Sequence, residues 1–167
     1  MKISIVTPAF NSAGTIRDTL ECIRMQDYPA VEHIIIDGLS TDNTLDIVRE
    51  YAHVSAVISE PDRGLYDAMN KGLQQTTGDI VGILNSDDYY THPQVLSRVA
   101  ALLGQTGADA LYADMEYVDA RDTSRVVRTW KAGLLRPDSF QNGWMPPHPT
   151  FFVRRHLYER FGCFNPN

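Results

Sequence analysis

Short apolar runs alternate with polar turns along most of the chain, and their period changes from run to run in a way that predicts alternating strands and helices. Lys2 to Thr7, around Ile3, Ile5 and Val6, reads as a strand stopped by Pro8. Asn11 and Ser12 then stand where a helix cap is expected, before Ile16, Leu20 and Ile23 on one helical side, up to about Asp27. His33 to Asp37 is a dense β-branched run suited to a strand buried on both faces. Leu45 and Val48 mark a second helix over Thr44 to Tyr51, Val54 to Ser59 a third strand, and Leu65, Met69 and Leu73 a helix from Leu65 to Gln75. Ile80 to Leu84 is the fourth strand. Thr91 and Gln94 resemble a capping box for the helix carrying Val95, Leu96, Val99, Leu102 and Leu103. Strand–helix repetition of this kind predicts an α/β fold with a mostly parallel sheet covered by helices.

Beyond residue 108 the texture changes. Ala110 to Tyr117 and Ser124 to Trp130, joined by DARDT, predict a β-hairpin. A Gly- and Pro-rich loop over Ala132 to Pro149 follows, then a short strand (Thr150 to Val153) and a short helix (Arg154 to Phe161). The expected organisation is one domain in two parts, 1–109 binding a ligand and 110–167 beginning a second, smaller lobe.

Composition narrows the function. The net charge of -6 and pI near 5.2 leave no basic stripe to neutralise phosphates, so a nucleic-acid partner is not expected. Nothing approaches the ~18 consecutive apolar residues of a membrane span, and the early Pro8 argues against a signal peptide, so a cytoplasmic setting is expected. Cys22 and Cys163 have no metal-ligand spacing; Cys22, on a helical pattern, reads as a small core residue.

Polar groups recur just past each of the first four strands: Thr7 to Asn11, Asp37 to Asp42, Glu60 to Gly64 and Asn85 to Asp88. In a parallel sheet the carboxyl ends of the strands share one edge, and ligands bind there. Neither G-x-G-x-x-G nor G-x-x-x-x-G-K-[ST] is present, which disfavours a dehydrogenase, a nucleotidyltransferase and a P-loop enzyme. Asp87 and Asp88 offer another route to a diphosphate, because Mg²⁺ commonly joins one or two carboxylates to substrate phosphates. Each motif also has a local reading. Asp37-Gly38 is a turn signal, adjacent acids are common in solvated loops, Arg63 has Asp62 and Glu60 beside it, and His148 alone suits a loop.

Five ordered strings, SIVTPAFN (4–11), IIIDGLSTDNT (34–44), ISEPDRGLYDAMNKG (58–72), TGDIVGILNSDDYY (77–90) and HPTFFVRRHLYERFGCF (148–164), resemble the bacterial family 2 glycosyltransferases, nucleotide-sugar transferases of GT-A type. The resemblance implies a GT-A, Rossmann-like sheet with a hairpin-containing acceptor lobe. It implies sugar transfer with inversion from a nucleotide-diphosphate donor, chiefly a UDP-sugar, to a saccharide or lipid-linked saccharide in cell-surface polysaccharide synthesis. The protein would then work in the cytoplasm or peripherally at the inner membrane face, and a homodimer is compatible with it.

By the same resemblance, Thr7, Pro8 and Phe10 form the floor under the base and Asp37 accepts from the base. Arg63 and Asp67 border the ribose, diphosphate or sugar, with Lys71 either joining them or facing solvent. Asp88 binds Mn²⁺ or Mg²⁺, with Asp87 beside it near the ribose or donor sugar, and His148 approaches the diphosphate or acceptor. The general base is expected in an acidic motif beyond Asn167; Asp114 is not favoured for it, and Trp130 is assigned to the core of the small lobe. The alternative is a nucleotide-sugar-binding module without catalysis.

Overall fold

The computed structural model describes residues 1–165. A six-stranded sheet has the order β3-β2-β1-β4-β8-β5, and a separate two-stranded ribbon is made of β6 and β7. The strands are β1 (Ile3–Ala9), β2 (Val31–Asp37), β3 (Val54–Ser59), β4 (Ile80–Ile83), β5 (Ala110–Leu111), β6 (Met115–Val118), β7 (Val126–Trp130) and β8 (Phe152–Arg154). The helices are α1 (Ile16–Arg24), α2 (Thr44–Arg49), α3 (Leu65–Gln75), α4 (Val95–Thr106) and α5 (Arg155–Phe161). The first four strands are mutually parallel, and β8 runs antiparallel between β4 and β5. This is the mostly parallel, helix-covered GT-A architecture expected.

Alternation along β1 divides the core. Ile3 and Ile5 join Ile23 of α1 and Leu96, Val99 and Leu103 of α4 on one face, while Val6 joins Ala68, Met69 and Leu73 of α3 on the other. Ile16 and Leu20 of α1 meet Ile35 and Val48 over the β2 side. Ile5, Ile35 and Met69 are wholly buried, and each such side chain contributes about 1.5–3 kcal/mol. Helix α3 lies so close to β1 that a Cβ at Gly72 would sit 2.2 Å from Val6 Cγ1. The buried stripe of α3 is therefore Ala68, Met69, Gly72 and Leu73. Leu65, expected on it, is instead half exposed at the helix start.

Strand β1 continues past its expected stop, and its geometry explains why Pro8 is tolerated there. Leu84 N donates to Val6 O on the β4 side, whereas Gly38 N donates to Ala9 O on the β2 side. Residues two apart share a hydrogen-bonding direction, so the donor Pro8 lacks would have pointed toward β4, whose pairing with β1 ends at Val6. The strands diverge where the order reverses, with β2 and β3 on one side of β1 and β4 on the other. Pairing of β1 with β2 runs on to Ala9 but with β4 stops at Val6, and a switch point of this kind is where ligands of open α/β sheets bind.

Several local expectations are corrected. Helix α1 begins at Ile16 after Thr15, and Ser12 accepts Thr15 N and Ile16 N through its carbonyl rather than its side chain. The Thr91–Gln94 capping box does not form: Gln94 N donates to His92 Nδ1 at 3.2 Å, and Gln26, just past α1, accepts Leu96 N at 3.0 Å. The run over 110–117 is not one hairpin arm. It breaks at Tyr112 to Asp114, giving β5 to the main sheet and β6 to the ribbon. Tyr112 holds the break, its hydroxyl donating to Gly133 O and accepting from Leu135 N, while Asp114 accepts Ala132 N. Arg154 closes the fold behind the sheet by donating to Leu103 O and Ala108 O at the end of α4.

Candidate active site

The turn Asn85–Asp88 follows β4 at the carboxyl edge of the sheet. Asp88 N donates to Asn85 O at 3.0 Å, and Asn85 Nδ2 donates to Asp88 Oδ2 at 2.9 Å. Thr19, fully buried on α1, donates to Asp88 O at 2.8 Å, and Ser12 and Ser86 pair through their hydroxyls at 2.8 Å. Asp87 is exposed and Asp88 partly buried. Burial, then the neighbouring Asp87, pushes the Asp88 carboxyl above its usual range. No ion pair among the described residues involves either acid. Two adjacent carboxylates without a cation, one of them partly desolvated, fit a hard divalent ion. Among the described residues no group of three or more His, Cys, Asp or Glu is clustered for a metal. The rest of an ion's shell would have to come from ligand oxygens and water, the usual arrangement for Mg²⁺ at a phosphate.

On the β1 side, Pro8, Ala9, Phe10, Asp62, Gly64, Leu65 and Ala68 line a cleft of about 210 Å³. Phe10 is 63% exposed, an aromatic face left available for a planar ligand. The loops around it are laced together: Asn11 N donates to Ser40 Oγ, and Thr41 N to Asn11 Oδ1. Asn11 and Leu39 both have positive φ, 48° and 61°. For a leucine this is strained backbone, of a kind that clusters at ligand sites.

The residues assigned to the donor are placed unequally. Pro8 and Phe10 line the cleft. Thr7 does not: its side chain is fully buried on the opposite face, with Oγ1 3.0 Å from His33 Nε2, so it presents no group to a base. Asp37 lies at the end of β2 but is fully buried, accepting Ser59 Oγ at 2.6 Å and Ser40 N at 3.1 Å. Here it orders the β2–α2 loop. Asp67 accepts Arg63 N at 3.0 Å, which holds its carboxyl below the usual range. The Arg63 side chain is 82% exposed, with one long contact to Asp67 at 3.4 Å. Lys71, read as a ligand group or a solvent-facing one, instead ties the loop together through Glu60 (3.1 Å), Pro61 O and Asp67 (3.6 Å).

His148 opens a 3-10 turn (His148–Thr150) that packs against β4. Its ring meets Tyr66 and Phe164 with centroids 6.1 and 5.9 Å away, and burial lowers its pKa. Asn70 grips the backbone of Phe164 with both ends of its amide, at 2.8 and 2.9 Å. Trp144 donates to Ala132 O and meets Tyr112 and Phe140 edge-on, organising the small lobe, where Trp130 is partly buried. Cys22 is partly buried, and burial pushes its thiol up to about 12. Thr19 and Asn70 are not among the residues to which the sequence pattern points, and Asn85 figures there only as the first residue of the acidic turn. Thr19 had a usable signal, a hydroxyl within the buried stripe Ile16, Leu20, Ile23, where it needs a partner.

A parallel sheet with an acidic turn and an open aromatic cleft flanking its switch point has the layout of a GT-A nucleotide-sugar enzyme. Residues 4–162 match the model of glycosyl transferase family 2, and the chain belongs to that family. It is 35% identical over 166 residues to a PGL/p-HBAD biosynthesis glycosyltransferase of Mycobacterium bovis, covering 97% of this chain and 62% of that protein. S. aureus TarS in complex with UDP superposes with a TM-score of 0.78 at 26% identity, over 99% of this chain and 51% of that one. Glucosyl-3-phosphoglycerate synthase from Mycobacterium tuberculosis, in complex with Mn²⁺, UDP and glucosyl-3-phosphoglycerate, gives 0.64 at 27%, over 93% and 57%. The chain thus spans less than two thirds of the length of these proteins. No helix among the described residues is long and apolar enough to cross a membrane.

Proposed function

We propose that this chain carries the donor-binding part of an inverting glycosyltransferase, which moves a sugar from a UDP-sugar to a hydroxyl of a saccharide or lipid-linked saccharide with help from Mn²⁺ or Mg²⁺. The observation that carries the reading is the Asp87–Asp88 pair, without a counter-cation among the described residues, in the turn after β4 that Ser86 ties to Ser12 of the loop carrying the exposed Phe10. TarS with UDP and the mycobacterial synthase with UDP and Mn²⁺ support a uridine donor and a divalent ion.

In this reading Phe10 and Pro8 support the uracil, and Asp37 meets its edge if Ser40 yields its hydrogen bond. Arg63, tethered at its backbone by Asp67 but exposed at its guanidinium, closes over the diphosphate. Asp88, with Asp87 beside it, holds the cation, which when bound offsets charge on the departing diphosphate. His148, kept neutral by partial burial, offers a hydrogen bond rather than a charge on the acceptor side. Inversion requires the acceptor hydroxyl to approach from the face opposite the diphosphate and lose its proton to a carboxylate. Asp114, whose Oδ1 accepts Ala132 N, is given a structural role in the small lobe and is not favoured for that part.

Thermal unfolding with UDP, GDP and Mn²⁺ tests the reading. A native-state ligand at one hundred times its dissociation constant adds about 2.7 kcal/mol. A UDP shift that grows with Mn²⁺ and loses that growth in Asp88→Asn is the expected result. A UDP shift indifferent to Mn²⁺ in the unaltered chain would sink the metal-assisted form of the reading, and no shift with either nucleotide would sink the donor site.

A further inference from the structure

We propose that Asn85 and Thr19 are positioning residues that set the divalent-cation affinity of Asp88. The inference rests on the metal-assisted reading above and goes beyond it by saying what aims the carboxylate. Asp88 is gripped at two points. The Asn85 amide donates to its Oδ2 at 2.9 Å, and the Thr19 hydroxyl donates to its backbone oxygen at 2.8 Å and, at 3.4 Å, to that of Asn85. Together they fix the plane of the carboxylate and the turn beneath it, leaving Oδ1 without a hydrogen-bond donor among the described residues.

Chemistry settles the orientation of the amide. An Asn85 turned the other way would set its carbonyl oxygen against an ionised carboxylate, so Nδ2 must face Asp88. That choice leaves Asn85 Oδ1 buried without a partner. A fold that accepts an unsatisfied buried oxygen to keep one donor on Asp88 has given that donor a task. An acidic residue at position 85 would add a third negative charge and remove the donor; the amide steadies Asp88 without either cost. Thr19 serves from a different element, a rigid helix packed on the core through Ile16, Leu20 and Ile23. The turn is thus registered against α1 and not merely folded on itself. Hydrogen-bonded supports of this kind commonly govern metal affinity by about 10- to 100-fold.

The test uses the unaltered 167-residue chain with Mn²⁺ and UDP, reading free Mn²⁺ by electron paramagnetic resonance. Asn85→Ala is expected to weaken Mn²⁺ binding by about 10- to 100-fold. Thr19→Val should weaken it in the same direction but less, and Thr19→Ser, which keeps the hydroxyl, should restore it. Unfolding of each variant without metal separates aim from scaffold: a merely structural role lowers the melting temperature and leaves Mn²⁺ affinity of the folded fraction unchanged. Wild-type Mn²⁺ binding with equal affinity in Asn85→Ala, or in both Thr19→Val and Thr19→Ser, overturns the positioning role alone. Absence of Mn²⁺ binding by the wild-type chain overturns it together with the metal-assisted reading beneath it.

Discussion

The loops at the carboxyl edge of β1, β2 and β4 and the β6–β7 ribbon are both polar, solvent-side parts of the molecule, yet they are built in opposite ways. The edge loops are fastened to one another by side chains reaching across the sequence: Asn11 to Ser40 and Thr41, Ser12 to Ser86, Thr19 to Asp88, Ala13 N to Asp42. The ribbon is fastened almost only to itself. Its turn closes through Asp119 and Asp122, and Val126, Val127, Arg128 and Thr129 are all exposed. The carboxyl edge is thus preorganised, the build that binding of a small, fixed ligand would favour. The ribbon side carries little of the fold's stability and is free to vary its contacts.

The largest expected effect lies where α3 packs on β1 beneath the carboxyl edge. Gly72→Val drives a Cβ against Val6 and should cost about 3 kcal/mol, near the upper end of overpacking penalties, measured by urea unfolding. A loss below about 0.5 kcal/mol would show that α3 can withdraw from β1, and the rigid half of the comparison would fall.

Next comes acid. His33 is fully buried, paired with Thr7 and with the stacked His53, and burial lowers its pKa to about 3. As pH falls below the unfolded histidine value near 6.5, the unfolded chain takes up a proton that the folded chain refuses. Stability is therefore fully present above that pH and declines between it and about 3. About 2 kcal/mol should be lost between pH 6.5 and 5, at ~1.4 kcal/mol per pH unit, and His33→Gln should flatten the slope in that window. His53, whose pKa is lowered by burial and then by Arg24, works in the same direction. Glu32, held at about 2 by Lys2, Ser4 and Thr77 against the cost of burial, loses its contribution only below the unfolded value near 4.5. An unchanged slope in His33→Gln would assign the acid sensitivity elsewhere.

Smaller still is Trp144→Ala, which removes the hub of Tyr112, Phe140 and Ala132 in a partly exposed setting; about 1–2 kcal/mol is expected, below the usual cost for a fully buried aromatic. Val127→Ser on the ribbon should change stability by less than about 0.5 kcal/mol. A larger loss there would erase the contrast between the two regions.

Much of the carboxyl edge was legible in the sequence because its signals are local. Apolar runs stop where strands end, so the polar groups after β1, β2 and β4 announce the shared edge before any packing is known. What escaped reading depends on partners distant in the chain. Gln26 accepts Leu96 N at the start of α4 while His92 takes the Gln94 N–H expected to bond Thr91, and Ser40 and Ser59 engage Asp37. The parity of β1 turns Thr7 inward to His33, and β8 recruits Ala110 and Leu111 away from the run that continues into β6. Asn85 escaped because its importance lies in which way its amide faces.

Pro8 has a consequence for how the sheet can fluctuate. A gap between two neighbouring strands invites zippering, since each further rung would gain a hydrogen bond, and breathing of the sheet would tend to close it. An imino acid has no proton to offer on that side, so covalent structure forbids the next rung. At Pro8 the end of the β1–β4 ladder is thus set by covalent structure and not by side-chain packing alone.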